Sequence, residues 1–454
     1  MKVLSDLTNN LTKAALMLLI TLLSTTLKAQ LTQDEDGYYL LSNAADWEAF
    51  AALVNNNDDY NATYNARMTA DINLGDSQTV VGMPMSNNFK HEYYGTFDGQ
   101  GHTLTVAYSG NVCVYEDFAG YRIFGPFCAV RTCTIKNLRV EGSISEVTSE
   151  SSNGSLAVGG IVGRIRVRCT IENCSTNLNI TAVKTKNSFV GGLVGICPKN
   201  INQTANGRVI IKDCLCEGSI TGSNNNTYKT YEGAFIGYIN STSSSSIEHS
   251  LSTIEVSSVY KNRGAYYGAN SAVCTLTNVF SRPASEQQCS TFTDEELASG
   301  AIAFELQDAR EDLAWGQRIG TDSAPVLTNE ESYRVYKMII GNGYTNDPAN
   351  GYPGLRQDAE GYYLLNCKFA WVDFAELVKT TPTANARMTA DIDLGDEQAR
   401  LGDADHSDSP TYYYQGIFDG QGHTLTVHYT NAPQNAPFAV ISAATIKNLH
   451  VDGQ

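Results

Sequence analysis

The sequence predicts an all-β chain that forms a parallel β-helix, or β-solenoid, with short amphipathic capping helices. Two observations predict this class. The last hundred residues repeat the first hundred, and short apolar segments alternate with glycine-rich ones between the two copies. Repeats within repeats are typical of stacked architectures, in which each rung buries its apolar face against the next. This organisation favours a surface or binding role over a single catalytic pocket.

The long-range repeat has an offset of about 320 positions. The sequence ends shortly after the last matched segment, where the first copy still has its glycine-rich segments to come. We therefore expect one whole unit and the truncated start of a second, with fraying or self-association at the last rung. The matched pairs are Gly37–Leu41 with Gly361–Leu365, Asn65–Asp76 with Asn385–Asp396, Phe97–Val106 with Phe418–Val427, and Thr134–Leu138 with Thr445–Leu449.

Composition narrows the classes of partner. The formal net charge is -17 and the isoelectric point is about 4.8, so a polyphosphate is repelled at long range and no nucleic-acid binding is expected. Apolar residues make up 42% of the chain, which is enough for a packed core. The 38 glycines and 25 tyrosines suit short strands joined by tight turns.

Residues 1–29 have the pattern of a secretory signal peptide. Ala14–Leu23 forms an apolar core of about ten residues, and Ala29 is a small residue before the expected cleavage site. This core is too short to span a bilayer, and no later apolar stretch is long enough for a membrane helix. We expect a secreted or cell-surface protein without a membrane-spanning segment after signal removal.

A short helix follows the first predicted strand in each copy. In the first copy it covers about residues 43–55, with Asn43 placed to cap it, and its apolar residues recur at i, i+3, i+4 and i+7. A helix of this kind would cover the open end of a solenoid. The apolar positions are Trp47, Phe50, Ala51 and Val54, and in the second copy Trp371, Phe374, Ala375 and Val378.

Two recurring elements define the rungs. Isoleucine segments of the form Ile-x-(Asn/Asp/His)-x begin at Ile135, Ile171, Ile211 and Ile247, with Leu276-Thr-Asn-Val279 as a fifth member. In-register stacking would bury the isoleucines, and glycine allows sharp turns or close approach of neighbouring rungs. An antiparallel sandwich is the alternative, but it does not explain one consensus recurring rung after rung. The glycine boxes comprise Gly159, Gly160 and Gly163; Gly191, Gly192 and Gly195; and Gly233 and Gly237, where Ala234 replaces the second glycine.

The predicted domains follow from these elements. The Thr293–Glu296 capping box opens a helix that runs to about Gln307, and Trp315 is expected to cover the last rung of the first unit. Polar insertions at 148–154, 223–227 and 241–246 are expected to be loops that carry any ligand specificity. The segments are a signal peptide (1–29), solenoid unit 1 (30–287), a closing helix and loop (288–332), a linker (333–357) and the start of unit 2 (358–454).

The eleven cysteines allow two interpretations. Cys133, Cys169 and Cys274 occupy one shared position in their rungs, and Cys174 and Cys214 another. Cysteines stacked in this way can be buried and unpaired, because a free cysteine packs as a small apolar residue. In an exported chain they can also form disulfides between rungs. The sequence leaves both interpretations open.

The glycine boxes resemble the GLUG motif of large exported proteins, notably Bacteroidota-type surface proteins, and Gly95–Leu104 is similar to the element that precedes such motifs. Related repeats occur in the non-catalytic region of immunoglobulin A1 metalloproteases. The resemblance covers nearly all of the mature chain. It implies a right-handed β-helix with an adhesive or undetermined surface role, and it transfers no catalytic residues.

Catalytic and metal-binding motifs are weak. The metalloprotease pattern His-Glu-x-x-His is missing, since His91-Glu-Tyr-Tyr-Gly95 lacks the second histidine. Asp98 with His102, repeated as Asp419 with His423, could serve an acid–base site, but a structural role in a tight turn is the favoured interpretation. Oxygen ligands for calcium are available at Asp71, Asn73 and Asp76, but a turn that ends a strand is the favoured interpretation.

Tyrosine pairs are the candidate binding residues, because aromatic rings pack against sugars and recur at recognition surfaces. These are Tyr93 with Tyr94 and Tyr266 with Tyr267, and Tyr412–Tyr414 forms a further run. The same rings could instead pack between rungs. The predicted function is an adhesin-like, non-enzymatic repeat protein that needs no cofactor and binds a glycan or a host or bacterial surface protein. A β-helix polysaccharide lyase or glycoside hydrolase is the alternative.

Overall fold

Every pair of named strands in the first half of the chain is parallel, and each strand pairs with one that lies a rung further along the sequence. The computed structural model divides the chain into two compact units, Met1–Phe292 and Thr293–Gln454. It describes residues 31–57, 59, 61–83, 91–109, 122–148, 155–184, 187–198, 207–223, 229–239, 245–257, 259–262, 264–268, 274–282, 289–402, 413–429 and 436–453. The predicted signal peptide, most of the three polar insertions, Cys113 and Tyr412 lie outside these residues.

The first unit consists of parallel strands and one helix, α1 (Ala44–Asn55). Its strands, in chain order, are β1 (Tyr39–Leu41), β2 (Ala66–Met68), β3 (Ile72–Asn73), β4 (Tyr93–Asp98), β5 (Thr103–Ser109), β6 (Arg122–Phe124), β7 (Phe127–Lys136), β8 (Arg139–Thr148), β9 (Leu156–Gly159), β10 (Val162–Glu172), β11 (Ser175–Lys184), β12 (Ser188–Gly191), β13 (Val194–Cys197), β14 (Arg208–Lys212), β15 (Leu215–Gly222), β16 (Thr230–Gly233), β17 (Ile236–Ile239), β18 (Ser245–Ser252), β19 (Glu255–Ser257), β20 (Lys261–Asn262), β21 (Tyr266–Gly268) and β22 (Cys274–Ser281).

The isoleucine segments stack in register, as predicted. Ile135 pairs with Ile171, Ile171 with Ile211, and Ile211 with Ile247. All four side chains are fully buried. The parallel register confirms an all-β, solenoid-like fold and rules out the antiparallel sandwich, because side chains at one position of successive rungs share a single interior column.

The third residue of each of these segments is left-handed and turns the chain at a corner. Asn137, Asn173, Asp213, His249 and Asn278 have φ between 46° and 52°. Asparagine and aspartate tolerate this conformation better than most residues, because their short polar side chains form local hydrogen bonds. The corner explains why the motif alternates among Asn, Asp and His.

Helix α1 lies beside the first rungs and buries one face. Asn43 caps it by accepting a hydrogen bond from the Asp46 amide at 3.1 Å. The indole of Trp47 packs edge-on against Phe97 and Phe127, with ring centroids 5.9 and 5.7 Å away. The residues on its buried face are Trp47, Phe50, Ala51 and Val54.

Most of the described cysteines line the interior of the first unit as free thiols. Cys133 and Cys169 are in-register neighbours whose Sγ atoms are 2.9 Å apart. Cys174 and Cys214 occupy adjacent rungs of a second column, and both are fully buried. None of the ten described cysteines forms a disulfide.

The second unit begins with two short helices, α2 (Asp294–Ser299) and α3 (Ala301–Gln307). The sequence predicts one helix here, but Gly300 adopts φ 94° and separates the two. The predicted closing segment belongs largely to this unit, since α3 packs on β23, which contains the fully buried Trp315. The remaining elements are β23 (Trp315–Gly316), β24 (Val326–Leu327), β25 (Tyr336–Met338), β26 (Tyr344–Thr345), β27 (Gly351–Tyr352), β28 (Tyr363–Leu365), α4 (Lys368–Thr380), β29 (Ala386–Met388), β30 (Ile392–Asp393), β31 (Ile417–Asp419), β32 (Thr424–Val427), β33 (Thr445–Lys447) and β34 (His450–Gly453).

The predicted linker is ordered. Strands β25, β26 and β27 form an antiparallel sheet within residues 333–357, and the Met338 amide donates to the Gly343 carbonyl across the turn between β25 and β26. After it, β28, β29, β31 and β33 pair in parallel, in the pattern of β1, β2, β4 and β7. Ile446 on β33 is 38% exposed, whereas its counterpart Ile135 is fully buried under β10.

No helix within the described residues is long and apolar enough to cross a bilayer.

Candidate functional site

The glycine boxes bring the backbones of neighbouring rungs close together. A Cβ atom added to Gly191 would overlap the Val194 carbonyl oxygen in its own rung and the Gly237 amide nitrogen in the next. None of the box glycines has a positive φ, so glycine is required here for close approach rather than for an unusual backbone conformation. Ala234 fits at the one position where a glycine is replaced, and it is 1% exposed.

Aromatic side chains flank the boxes and meet on the outer surface of the first unit. Phe189 lies two residues before the second box, Tyr231 lies two residues before the third, and Tyr238 directly follows the third. Tyr260 and Tyr267 come from the next rung. We call this cluster the tyrosine patch: Phe189, Tyr231, Tyr238, Tyr260 and Tyr267.

The rings of the tyrosine patch form one continuous cluster. Phe189 and Tyr231 are in-register partners that stack with centroids 5.4 Å apart and planes at 17°. Tyr267 packs 4.6 Å from Tyr231, and Tyr238 packs 4.6 Å from Phe189. Tyr260 stands at 80° to Tyr231. Phe189 is buried beneath the tyrosines, which are partly exposed, with Tyr260 at 37%.

Two lysines border the tyrosine patch. Lys229 places Nζ 4.0 Å above the Tyr260 ring, and Lys261 lies directly beyond Tyr231 in the same column of the sheet. Burial raises the pKa of Tyr231, with a further rise from the Tyr267 hydroxyl, while Lys229 and Lys261 oppose the shift. The patch therefore combines aromatic rings, phenol hydroxyls and ammonium groups on one surface.

Only one of the four predicted binding tyrosines belongs to this surface, namely Tyr267. The prediction for Tyr93 is wrong: its ring is fully buried and packs 5.2 Å from Phe127. Tyr94 points to the other face of the strand, where the Arg131 guanidinium lies 4.4 Å from its centroid. Tyr266 is half-buried against the core.

Asp98 and His102 do not act on each other. The Asp98 carboxylate accepts hydrogen bonds from the Gln100 amide and the Asn137 side chain, at 3.0 and 2.9 Å, and pairs with Lys136. His102 pairs instead with Asp71, at 3.2 Å. Asp98 thus holds a corner of the rung, which is a structural role.

The second unit reproduces this arrangement. Asp419 accepts from the Gln421 amide and Asn448, both at 3.0 Å, and His423 pairs with Asp391 at 3.2 Å. Burial opposes the shift, but the hydrogen bonds from Asn448 and Gln421, together with the Lys447 ammonium, lower the pKa of Asp419 to about 2. Identical geometry in both copies indicates a scaffold element.

The calcium candidates are engaged in local hydrogen bonds. Asp71 accepts from the Thr103 amide at 2.9 Å in addition to its contact with His102, and Asn73 accepts from the Gly75 amide at 2.9 Å. Asp76 lies in the exposed turn that follows. Across the described part of the chain, no three His, Cys, Asp or Glu side chains come together as a metal site.

Two buried carboxyl groups were not predicted. Glu92 forms an ion pair with Arg166, and both side chains are almost fully buried. Burial raises the pKa of Glu92, and the positive charge of the neighbouring Arg166 opposes this rise. Glu232 projects into the core at the position that Val190 occupies one rung earlier, and burial raises its pKa to about 8.

The residues of the tyrosine patch other than Tyr267 also escaped prediction from the sequence. The available signal was positional: Phe189 and Tyr231 stand at the same place relative to their boxes, where the first box has Ala157. Reading each position across aligned boxes would have revealed an aromatic column. A search for adjacent tyrosines could not reveal it.

Comparison with known proteins yields a weak structural similarity and no family. No family model matches the chain, and no curated protein matches it. A solved structure named as a "putative immunoglobulin A1 protease" from Bacteroides ovatus is 17% identical, with a TM-score of 0.30 over 66% of this chain and 94% of that one. The chain is thus distantly similar to that protein, and these comparisons assign it to no family.

Proposed function

We propose that this protein is an exported, non-enzymatic repeat protein of the bacterial cell surface that binds glycans through the tyrosine patch. The observation that carries the proposal is the convergence of Phe189, Tyr231, Tyr238, Tyr260 and Tyr267 from three rungs onto one partly exposed surface. Tyrosine suits such a role because one end of its side chain is apolar and the other forms hydrogen bonds.

The proposal also includes the handedness, the capping helices, the motif type and the signal peptide expected from the sequence. The solenoid is right-handed, α1 and α4 cap the starts of two units of one type, and the glycine boxes are of the GLUG kind. A leader at residues 1–29 accounts for export. Under this proposal the tyrosine patch lies on the outer surface of a repeat unit, an arrangement that suits adhesion.

Retention on a glycan array tests the binding role. The full chain should be retained on a subset of glycans, and Tyr231→Ala and Tyr267→Ala should each weaken retention about tenfold or more, since each removes a ring that contacts at least two others. Tyr94→Ala is the matched control, because Tyr94 is a partly buried tyrosine of the same unit outside the patch. Loss of retention in the Tyr94 variant alone would contradict the proposal.

The same glycans test the enzymatic alternative. Incubation with the full chain should release no reducing ends and no unsaturated sugars. Release of either product, lost on substitution of a carboxylate, would replace the binding proposal with a β-helix lyase or hydrolase.

A further inference from the structure

We infer that the tyrosine patch selects acidic glycans, that is, oligosaccharides carrying carboxylate or sulfate groups. This inference rests on the proposed glycan binding and adds the chemical class of the ligand. It comes from the pattern of charges and hydrogen-bond donors around the five rings rather than from the rings alone.

The packing of the rings decides what they offer to a ligand. Phe189 and Tyr231 stack nearly parallel, so each ring covers one face of the other. The Tyr260 face is covered by the Lys229 ammonium. An aromatic ring carries negative charge on its face and positive charge at its edge. Where a face is covered in this way, the positive edge of the ring is the part that can meet a negative group.

The polar groups of the patch also favour a negatively charged ligand. A phenol hydroxyl can donate a hydrogen bond, and a lysine ammonium has three donors and no acceptor. Lys229 lies against Tyr260, and Lys261 follows Tyr231 at the spacing of one rung, about 4.8 Å. A carboxylate or sulfate that reaches either ammonium would receive charge-assisted hydrogen bonds, which are roughly twice as strong as neutral ones.

The buried Glu232 does not cancel the positive charge of the two lysines. Glu232 is adjacent to Tyr231 in β16, but its side chain projects into the interior, where it is 1% exposed. Successive side chains of a strand point to opposite faces, so the carboxyl group and the patch lie on opposite sides of the sheet. Burial also raises the pKa of Glu232, which disfavours a negative charge beneath the patch.

The net charge of -17 does not prevent local binding of an anion. At physiological ionic strength the Debye length is about 8 Å, so distant carboxylates are screened while contacts within the patch are not. The overall charge slows the approach of a long polyanion, which makes short oligosaccharides the better probes.

The experiment compares matched pairs of hexasaccharides by calorimetry on the full chain. One pair is a uronic-acid hexamer and the same hexamer with its carboxyl groups reduced to alcohols. The other pair is a sulfated galactan hexamer and its desulfated form. At least one acidic member should bind about tenfold or more tighter than its neutral partner. The preference should shrink at 0.5 M salt, where the Debye length falls to about 4 Å.

Variants link the preference to the two lysines. Lys229→Gln and Lys261→Gln should each reduce the acidic-to-neutral ratio by about threefold or more, and Lys229→Arg should retain it. Lys212→Gln is the control, because Lys212 faces Glu172 on another strand pair. Circular dichroism checks that each variant is folded.

The outcomes separate this inference from the function on which it rests. Equal binding of the acidic and neutral members of both pairs overturns the acidic selectivity and leaves glycan binding intact. A preference that persists in both Lys→Gln variants also overturns the assignment to the patch. Failure of all four hexamers and of the glycan array overturns both proposals.

Discussion

Asn173 donates a hydrogen bond from its side-chain amide to the side-chain oxygen of Asn137, one rung below, over 2.8 Å. Asn137 in turn donates to Asp98 at 2.9 Å. Both asparagines are left-handed, with φ 50° and 52°. The corner of three successive rungs is therefore held by a ladder of side chains as well as by the backbone.

The ladder predicts a specific order of stability. Asn173→Ala should destabilise the protein by about 2–3 kcal/mol. The left-handed conformation costs an alanine about 1–2 kcal/mol, and alanine cannot form the side-chain hydrogen bond. Asn173→Gly loses only the hydrogen bond and should cost about 1 kcal/mol. Urea unfolding of both variants measures the difference. An alanine variant as stable as the glycine variant would show that the corner stores no backbone strain.

The packing of the glycine boxes predicts that adding a methyl group destabilises the protein more than removing one does. Gly191→Ala forces a Cβ into backbone atoms of its own rung and the next, neither of which can move aside easily, so we expect a loss of about 2 kcal/mol or more. Ala234→Gly removes a methyl group at a box position that already accommodates one and should cost about 1 kcal/mol. Thermal or urea unfolding gives both values. Equal effects would mean that the boxes are not closely packed.

Buried Glu232 predicts that stability falls as the pH rises. Burial raises its folded-state pKa to about 8, above the ordinary value of 4.5. Between these pH values the unfolded chain releases a proton that the folded chain retains. Folding therefore becomes less favourable as the pH rises from 4.5 to 8, and this contribution is constant above pH 8.

Glu232→Gln should remove this dependence and raise the free energy of unfolding at pH 8 by several kcal/mol, on the order of 1.4 per unit of pKa shift. Urea unfolding at pH 5, 6.5 and 8 measures the slope. Glu255→Gln is the control, because Glu255 is an exposed glutamate of the same unit and its loss should leave the slope unchanged. A wild-type slope retained in the Glu232 variant would assign the pH effect to other groups.

The buried cysteines predict thiols that are present but unreactive. Burial raises the pKa of Cys174 and Cys274 to about 12 and that of Cys289 to about 11. Because the thiolate is the nucleophile, alkylation of the native protein at pH 8 should be slow, and among these three Cys289 should react first. After denaturation without reductant, the ten cysteines within the described residues should become modified.

Intact mass under non-reducing conditions checks the same point. A mass lower by two hydrogens per bond, with a matching deficit of alkylated sites, would show that disulfides have formed. Cys133 and Cys169 would then be the first pair to examine, since their Sγ atoms are 2.9 Å apart. Cys133→Ser is expected to abolish that deficit if this pair is the source.

The sequence determined the rungs of this protein. Isoleucine columns and glycine boxes recur along the chain, and a repeated segment that cannot bury its apolar side alone must stack on its copies. The corner motif could also be read directly, because a left-handed residue limits the side chain to a few types. For the same reason the helix from Ala44 to Asn55 was predictable from the spacing of its apolar residues.

Only the tertiary structure decided which side chains share a surface. Tyr93 and Tyr94 are adjacent in sequence but lie on opposite faces of β4, because side chains alternate along a strand. Phe189, Tyr231 and Tyr267 are far apart in sequence but meet across rungs. Their meeting depends on the lengths of the insertions and on the register of each rung, which the chain fixes only when its strands pair.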